Sequence, residues 1–142
     1  MYFMISIEIL EKTTNEFFDK FCNDDLFNSR PIWSSKWMFR GEVPNNSKKG
    51  CYALLYKDEI VYIGVAIGDS YEGSGLGSRI SNYWKYDSNE NGVRTYEPTV
   101  KGINSIITLP FTPNDFYLAA ALEVYLIQKL NPPNNKTHSR KI

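Results

Sequence analysis

Glu123 is the carboxylate whose surroundings most favour a chemical role. Apart from tyrosine hydroxyls, every other side chain from Phe116 to Ile127 is apolar or small. Burying an unpaired charge is costly or forces the group to take up a proton, so a carboxylate here needs a metal ion, an arginine or a route to water. A surface glutamate at the edge of an apolar stripe is the alternative interpretation. The run Ala119 to Ala121 argues against it, since small residues let another element pack closely.

Arg79 and Tyr83 are a second pair of candidates because they lie four residues apart. Leu76, Ile80 and Trp84 recur at helical spacing and predict the inward stripe of a helix. Residues four apart lie on the same side of a helix, so Arg79 and Tyr83 are predicted to project together from the adjoining stripe.

Two tyrosines lie in a predicted β-hairpin. The runs 51–56 and 60–66 are rich in β-branched and aromatic residues, and Lys57-Asp58-Glu59 separates them. Side chains alternate between the two faces of a strand, so the register decides whether Tyr52 and Tyr62 share a face.

Two registers of this hairpin are possible. A two-residue turn at positions 58 and 59 would put Tyr52 and Tyr62 on opposite faces. A three-residue loop over 57–59 pairs Leu54 with Tyr62 and Tyr52 with Gly64, which brings both tyrosines to one face. We predict the second register.

Several other kinds of site are excluded by composition and spacing. His138 is the only histidine, which excludes histidine-rich zinc sites and any Ser-His-Asp triad that does not use it. Cys22 and Cys51 lack the C-x-x-C spacing, so we expect buried, reduced thiols. The glycine-rich segment 73–78 matches neither a P-loop nor a dinucleotide fingerprint, and we interpret it as a surface loop or one that bends over a bound backbone.

Length and charge limit the organisation of the molecule. The 142 residues leave room for one domain. Sixteen basic residues balance sixteen acidic ones, so the chain lacks the basic excess that is typical of nucleic-acid-binding proteins, and such a role must rest on local patches. No segment has the charge and length of a signal peptide or a membrane span, so we expect a soluble, cytoplasmic protein.

Basic residues are concentrated at the end of the chain. Lys129, Lys136, Arg140 and Lys141 occur there without an acidic residue, around a proline- and asparagine-rich stop at 132–135. We interpret this segment as a short solubilising tail. The alternative is a tail that contacts phosphate groups, in which Lys136 is the candidate substrate-binding residue.

The remaining elements surround the hairpin. Residues 1–49 form a helical and aromatic arm in which a buried structural role for Trp33 and Trp37 is favoured over stacking on bases. Segment 87–102 is polar and turn-rich. A helix is predicted over about 14–22, capped by Thr13, Thr14 or Asn15. A third strand is predicted over 103–109 and is closed by Pro110. A last helix is predicted from the capping signal Thr112–Asp115 to about Leu130.

An ordered set of these residues resembles the GIY-YIG nuclease superfamily. It comprises Gly50-Cys51-Tyr52, Tyr62-Ile63-Gly64, Arg79 at the opening of a helix, Glu123 in a later helix, and Asn135. The resemblance covers about 50–136. It departs from the family at Cys51, where isoleucine or valine is usual, and in a longer insertion between Gly64 and Arg79.

The resemblance implies the fold and the activity. The implied fold is α+β, a small central three-stranded antiparallel sheet flanked by helices over residues 50–142, with residues 1–49 as an N-terminal helical arm packed on it. The implied activity is hydrolysis of DNA phosphodiester bonds, in duplex or branched DNA, with Mg²⁺ or Mn²⁺. Carried over by position, the resemblance implies that Glu123 is the metal ligand, that Arg79 is the clamp on the scissile phosphate and that Tyr52 lies beside the attacking water. It implies that Tyr62 is an orienting group and that Tyr83 handles protons. Gly64 would be a close-approach glycine on the substrate side, and Asn135 would steady the site.

Two alternatives stay open. A catalytically silent module of the same fold would bind nucleic acid or protein without cutting it, and an RNA-cleaving nuclease would share the same residues, since nothing in the sequence recognises a 2′-hydroxyl. Selectivity for DNA would come from the arm and the loops, or from a homodimer that sets two sites against two strands.

Overall fold

Three strands of the described chain form an antiparallel sheet, and two further strands pair as a separate antiparallel hairpin. The computed structural model describes residues 4–23, 30–68, 75–88 and 94–135. Within these residues the fold is α+β with three α-helices and a three-stranded antiparallel sheet, as predicted. The helices are α1 (Ile7–Phe21), α2 (Leu76–Ile80) and α3 (Tyr117–Leu130), and short 3-10 turns cover Ser81–Tyr83 and Pro133–Asn135. The strands are β1 (Lys49–Tyr56), β2 (Glu59–Ala66), β3 (Trp84–Ser88), β4 (Arg94–Pro98) and β5 (Ser105–Phe111). The three-stranded sheet has the order β2-β1-β5, and β3 pairs with β4.

The predicted register of the β1–β2 hairpin is confirmed. Tyr52 lies opposite Gly64, and Leu54 lies opposite Tyr62. Both tyrosine side chains are therefore on the same face of the sheet, because alternate residues of a strand share a face.

The predicted three-residue loop is wrong, although its register is right. Tyr56 pairs with Glu59, so the turn has two residues, Lys57 and Asp58. Lys57 has a φ of +56°, and its backbone N–H donates to Asn104 Oδ1 at 2.9 Å. The extra residue is instead Val61, which bulges from β2 where the register shifts, and this bulge returns Tyr62 to the face of Tyr52.

The two faces of the sheet bury separate sets of apolar side chains. Helices α1 and α3 cover one face, and α2 together with the segment around Trp37 covers the other. Buried side chains of the first set include Leu10, Phe17, Phe18, Cys51, Ala53, Leu55, Ile63, Leu109, Leu122 and Leu126, and those of the second include Trp37, Phe39, Tyr52, Leu54, Leu76, Ile80 and Ile106. Each fully buried leucine, isoleucine or phenylalanine among them stabilises the fold by roughly 1.5–3 kcal/mol.

Helix α1 begins earlier than predicted, directly after Ser6. The Ser6 hydroxyl accepts a hydrogen bond from the Ile9 N–H at 3.1 Å and caps the helix. The predicted caps lie inside the helix, where the hydroxyls of Thr13 and Thr14 donate to the carbonyl oxygens of Ile9 and Leu10 at 2.8 Å. Threonine thus satisfies its hydroxyl on the preceding turn instead of ending the helix.

The two tryptophans of the N-terminal arm are buried, which confirms that expectation. Trp33 is 7% exposed and donates its indole N–H to Thr14 Oγ1 at 3.0 Å. Trp37 is 4% exposed and exchanges backbone hydrogen bonds with Ile106 at the outer edge of β5. Of the two cysteines, Cys51 is buried and Cys22 half-buried, both as thiols.

Helix α2 is shorter than predicted. It ends at Ile80, a 3-10 turn follows over Ser81–Tyr83, and Trp84 begins β3. The half-buried Trp84 therefore does not continue the inward helical stripe; its ring meets Trp37 edge-on, with centroids 6.5 Å apart. The hairpin of β3 and β4 lies in and beside the segment predicted to be turn-rich, so that interpretation is wrong for the strands.

Strand β5 extends two residues beyond its predicted end. Pro110 lies inside the strand, opposite Gly50, instead of closing it. Proline lacks a backbone N–H, but β5 is the end strand of the three-stranded sheet, where a missing donor is tolerated.

Helix α3 ends at the predicted residue but starts later. The capping signal forms a turn ahead of the helix, in which the N–H and hydroxyl of Thr112 donate to Asp115 Oδ1 at 2.7 and 2.8 Å. Helical hydrogen bonding then begins around Tyr117. At the other end, Asn131 adopts a left-handed conformation and donates its N–H to Ile127 O at 2.8 Å. No helix among the described residues is long and apolar enough to cross a bilayer.

Gly50 is predicted to be indispensable for the sheet. A Cβ at this position would overlap the Leu109 carbonyl oxygen and lie 3.1 Å from the Pro110 Cα, both backbone atoms that cannot turn aside. We expect Gly50→Ala to lower the free energy of unfolding by about 3 kcal/mol. Gly68→Ala is the matched control, since a Cβ there meets no described atom within 4 Å. Urea unfolding of both variants checks this, and equal effects would contradict the packing.

Candidate active site

Three tyrosines meet on the α2 side of the sheet, and we call Tyr52, Tyr62 and Tyr83 the tyrosine cluster. Their ring centroids lie between 5.6 and 6.4 Å apart. The hydroxyl oxygens of Tyr52 and Tyr83 are 2.8 Å apart, and either can donate. Tyr52 is fully buried, whereas the other two are half-buried. The cluster therefore connects a buried phenol to partly exposed ones.

Gly64 makes room for the buried phenol. It lies opposite Tyr52, and a Cβ on it would overlap the hydroxyl end of the Tyr52 ring and come within 2.8 Å of Cε1. The ring thus crosses β2 at the one residue without a side chain. The sequence predicted Gly64 to be a substrate-binding residue. In this structure the space beside Gly64 is occupied by the Tyr52 ring.

Arg79 is positioned by the start of α2. The Leu76 N–H donates to the Lys48 carbonyl oxygen at 2.8 Å, which ties the helix to the loop before β1. Gly75, with a φ of +116°, precedes it, and a Cβ there would lie 2.6 Å from the same oxygen. Glycine is needed at this position because both its backbone conformation and the close approach exclude a side chain.

The Arg79 side chain is joined to the tyrosine cluster. A hydrogen bond to Tyr52 raises the pKa of the guanidinium, and the neighbouring Tyr83 and Tyr62 add to the rise. Arg79 is therefore charged at any physiological pH, and it is exposed. Its partner Tyr52 orients the guanidinium and leaves part of it accessible to a ligand.

The buried phenols retain their protons at neutral pH. Burial raises the pKa of Tyr52 far above its usual value; the hydrogen bond with Tyr83 adds to the rise, and Arg79 opposes it. Burial likewise raises the pKa of Tyr62 to about 12, assisted by Tyr83 and by the charge of Glu123. Desolvation outweighs the guanidinium in both cases, so neither phenol is a base by itself.

Glu123, on α3, lies close enough to Arg79 and Tyr62 for the charges of Glu123 and Arg79 to act on each other and for that of Glu123 to act on Tyr62. Burial raises the pKa of its half-buried carboxyl group, and the nearby Arg79 partly offsets that rise. One turn earlier, the Cys51 thiol donates to the Ala119 carbonyl oxygen at 3.2 Å, so α3 packs closely on β1 through a small residue, as the alanine run predicted. Burial, and then the charge of Glu123, raise the pKa of Cys51.

Asn135 holds the backbone of β2 between two site residues. Its amide nitrogen donates to the Ile63 carbonyl oxygen, and its amide oxygen accepts from the Ile63 N–H, both at 2.9 Å. The side chain, 2% exposed, thus imitates a neighbouring strand. Tyr62 and Gly64 flank Ile63, so Asn135 steadies the site through the backbone, and its amide is used there.

The structure brings five of the sequence-predicted residues together: Tyr52, Tyr62, Arg79, Tyr83 and Glu123. The Asn135 side chain is hydrogen-bonded to the backbone of Ile63 beside them. Lys136 and residues 69–74 lie outside the described residues. The sequence analysis did not predict that Gly64 makes room for the Tyr52 ring. The predicted hairpin register could have indicated it, because a glycine directly opposite a tyrosine leaves space for the tyrosine ring.

Glu123 is the described carboxylate of this site that could hold a metal ion. Across the described ranges, no three histidine, cysteine, aspartate or glutamate residues gather into a metal-binding group. Glu123 is a carboxylate whose burial is only partly offset by Arg79, so a further cation would stabilise its charge. Mg²⁺ accepts one carboxylate because it retains water and takes its other ligands from phosphate. A bound Mg²⁺ or Mn²⁺ would be held here by Glu123.

Compared with models of protein families, with curated proteins and with solved structures, the chain has no significant match. The likeness to the GIY-YIG superfamily stays a hypothesis based on the pattern of residues. Function is therefore inferred from the geometry of the tyrosine cluster, Arg79 and Glu123.

Asn135 is predicted to be a major stabilising residue. Asn135→Ala leaves the buried N–H and C=O of Ile63 without their side-chain partners, and each unsatisfied group costs about 1–3 kcal/mol. We expect the free energy of unfolding to fall by about 3 kcal/mol in urea titrations. Asn134→Ala is the control, because Asn134 is exposed. If both variants unfold at the same urea concentration, the Asn135 contacts do not stabilise the fold.

The pKa of Glu123 provides a direct check on its proximity to Arg79. Burial favours the neutral acid, so the pKa measured by carboxyl-carbon NMR should exceed the ordinary value of about 4.3. Arg79→Gln removes a positive charge that favours the carboxylate, so the pKa should rise further in that variant. The exposed Arg40→Gln should leave it unchanged. If the pKa of Glu123 falls or stays constant in Arg79→Gln, the two residues do not lie close together.

Proposed function

We propose that this protein is an endonuclease that hydrolyses phosphodiester bonds of DNA with the help of Mg²⁺ or Mn²⁺. The observation that carries the proposal is the proximity of Arg79, Glu123 and the tyrosine cluster, which five separate elements supply, namely β1, β2, α2, the 3-10 turn that follows it and α3. A guanidinium for a phosphate, a carboxylate for a cation and linked hydroxyls for a proton are the groups that phosphodiester hydrolysis uses.

Arg79 would bind the scissile phosphate. The guanidinium can donate to two phosphoryl oxygens at once, and these hydrogen bonds strengthen as charge develops in the transition state. The hydrogen bond with Tyr52 holds it in place before substrate arrives, so less freedom is lost on binding. A lysine is a poor replacement because its compact ammonium lacks the planar pair of donors.

Glu123 would hold the cation, which supplies charge stabilisation to the phosphate and to the departing 3′ oxygen when bound. Because burial raises the pKa of Glu123, the free protein keeps this carboxyl protonated to a higher pH than an exposed glutamate. Cation and proton then compete for the same group. Activity should accordingly fall on the acid side as Glu123 takes up a proton.

The tyrosine cluster would move the proton of the attacking water. Tyr52 cannot act as a free phenolate because burial keeps its proton in place. The half-buried Tyr83 hydroxyl, held 2.8 Å from that of Tyr52, can instead accept a proton from water while it releases its own proton to solvent. Tyr83 is half-buried, so the proton has a route toward solvent. Tyr62 packs beside both rings and limits their motion.

Nicking of supercoiled plasmid DNA tests the proposal. We expect cutting that needs Mg²⁺ or Mn²⁺, is abolished by Glu123→Gln, and is reduced at least about 100-fold by Arg79→Lys. The exposed Glu11→Gln and Arg40→Lys are matched controls and should cut at the wild-type rate.

Two results would contradict the proposed function. Cutting at the wild-type rate by both site variants would place the chemistry elsewhere. Failure of the folded wild-type protein to cut DNA with either metal would favour a binding module, and cutting of RNA alone in a parallel assay would change the substrate.

A further inference from the structure

A second candidate binding site lies at the end of the sheet where β1 begins and β5 ends. It is a cavity of about 280 Å³, and we call it the Lys49–Phe116 cavity. This is slightly below the volume of pockets that enclose drug-sized ligands, about 300–1,000 Å³, and it suits a single planar ring system. Its principal lining side chains are Lys48, Lys49, Phe111, Pro113 and Phe116.

The lining combines aromatic rings with positive charge. The Lys49 ammonium lies 4.2 Å from the centroid of the Phe116 ring, which shows that a face of this ring is accessible to a cation. Tyr117, 67% exposed, stacks beside Phe116 with centroids 4.3 Å apart. The neighbouring acid, Asp115, accepts hydrogen bonds from Thr112 within its own turn. Such a surface suits a flat apolar ring that carries negative charge next to it.

The cavity shares its supporting elements with the tyrosine cluster. Lys49 precedes Tyr52 by three residues on β1, which is roughly 10 Å along the strand. Phe116 precedes Glu123 by two turns at α3, again roughly 10 Å. The Lys48 carbonyl oxygen also anchors the start of α2, which carries Arg79. Lys49 and Tyr52 are an odd number of residues apart and therefore point to opposite faces of the sheet, so a nucleic-acid strand that reaches both places must pass around the end of the sheet at Lys48.

We propose that the Lys49–Phe116 cavity binds one unpaired nucleobase of the substrate strand, with the adjoining phosphates on Lys48 and Lys49. The base stacks on Phe116 when the Lys49 ammonium moves from the ring to a phosphate. This inference rests on the proposed function and narrows its substrate to DNA with an unpaired nucleotide near the scissile phosphate. A base inside a continuous duplex is stacked on its neighbours and cannot enter.

The test uses two DNA duplexes that contain 2-aminopurine, one with the probe in a single-nucleotide bulge and one with it paired. Binding is measured with the Glu123→Gln protein and Mg²⁺, so that the DNA stays intact. We expect the bulged duplex to bind about tenfold more tightly than the paired one, with a change in probe fluorescence on stacking. Equal affinity for the two duplexes overturns the inference.

Two variants in the same background locate the base. Phe116→Leu keeps an apolar side chain but removes the ring, and Lys49→Ala removes the proposed phosphate contact. Each should lower the preference for the bulged duplex severalfold. Lys20→Ala is the matched control, because Lys20 also lies over an aromatic ring, that of Tyr125 at 5.9 Å, away from the cavity. An unchanged preference in both Phe116→Leu and Lys49→Ala overturns the inference even if bulged DNA binds tightly.

The outcomes separate this inference from the proposed function. Glu123-dependent nicking without any preference for an unpaired base leaves the nuclease intact and refutes the role of the cavity. A preference that depends on Phe116, in a protein that cuts no DNA, supports the cavity as a base-binding site and refutes the nuclease.

Discussion

The pairing of Tyr52 with Gly64 is the constraint on which the rest of the site depends. The phenol ring can cross β2 only because its partner has no side chain, and this crossing brings its hydroxyl to Tyr83 and Arg79. A slip of one residue would send Tyr52 to the face that α1 and α3 cover. The bulge at Val61 and the clamp of Asn135 on Ile63 oppose such a slip from the two sides of the strand.

Burial determines the protonation of the site more than charge does. Desolvation raises the pKa of Tyr52, Tyr62 and Glu123, and the positive charge of Arg79 only moderates these effects. The resting site therefore contains protonated phenols, a charged guanidinium and a carboxylate that lacks full compensation. The guanidinium would suit a phosphate and the carboxylate would suit a cation, which is why the proposed substrate and metal belong together.

The predictable and unpredictable parts of the fold differ in the range of the interactions that produce them. The aromatic and β-branched runs, which are local, predicted the hairpin but left two registers open, and the bulge at Val61 that sets the observed register depends on the whole sheet. Thr13 and Thr14 looked like caps because their hydroxyls can serve helix ends or preceding carbonyls, and sequence does not distinguish the two. The β3–β4 strands were missed because that segment is polar. The proximity of Arg79 to Glu123 joins elements far apart in the chain, and only the resemblance suggested it.

Paramagnetic relaxation by Mn²⁺ tests the central claim most directly, because it locates the cation without requiring catalysis. Mn²⁺ added to nitrogen-labelled protein should broaden the backbone signals nearest Glu123, Tyr62 and Arg79 first. The same titration of Glu123→Gln should leave those signals sharp at equal Mn²⁺ concentration. Broadening centred on another surface, or broadening around Tyr62 that persists without the Glu123 carboxylate, would contradict the account.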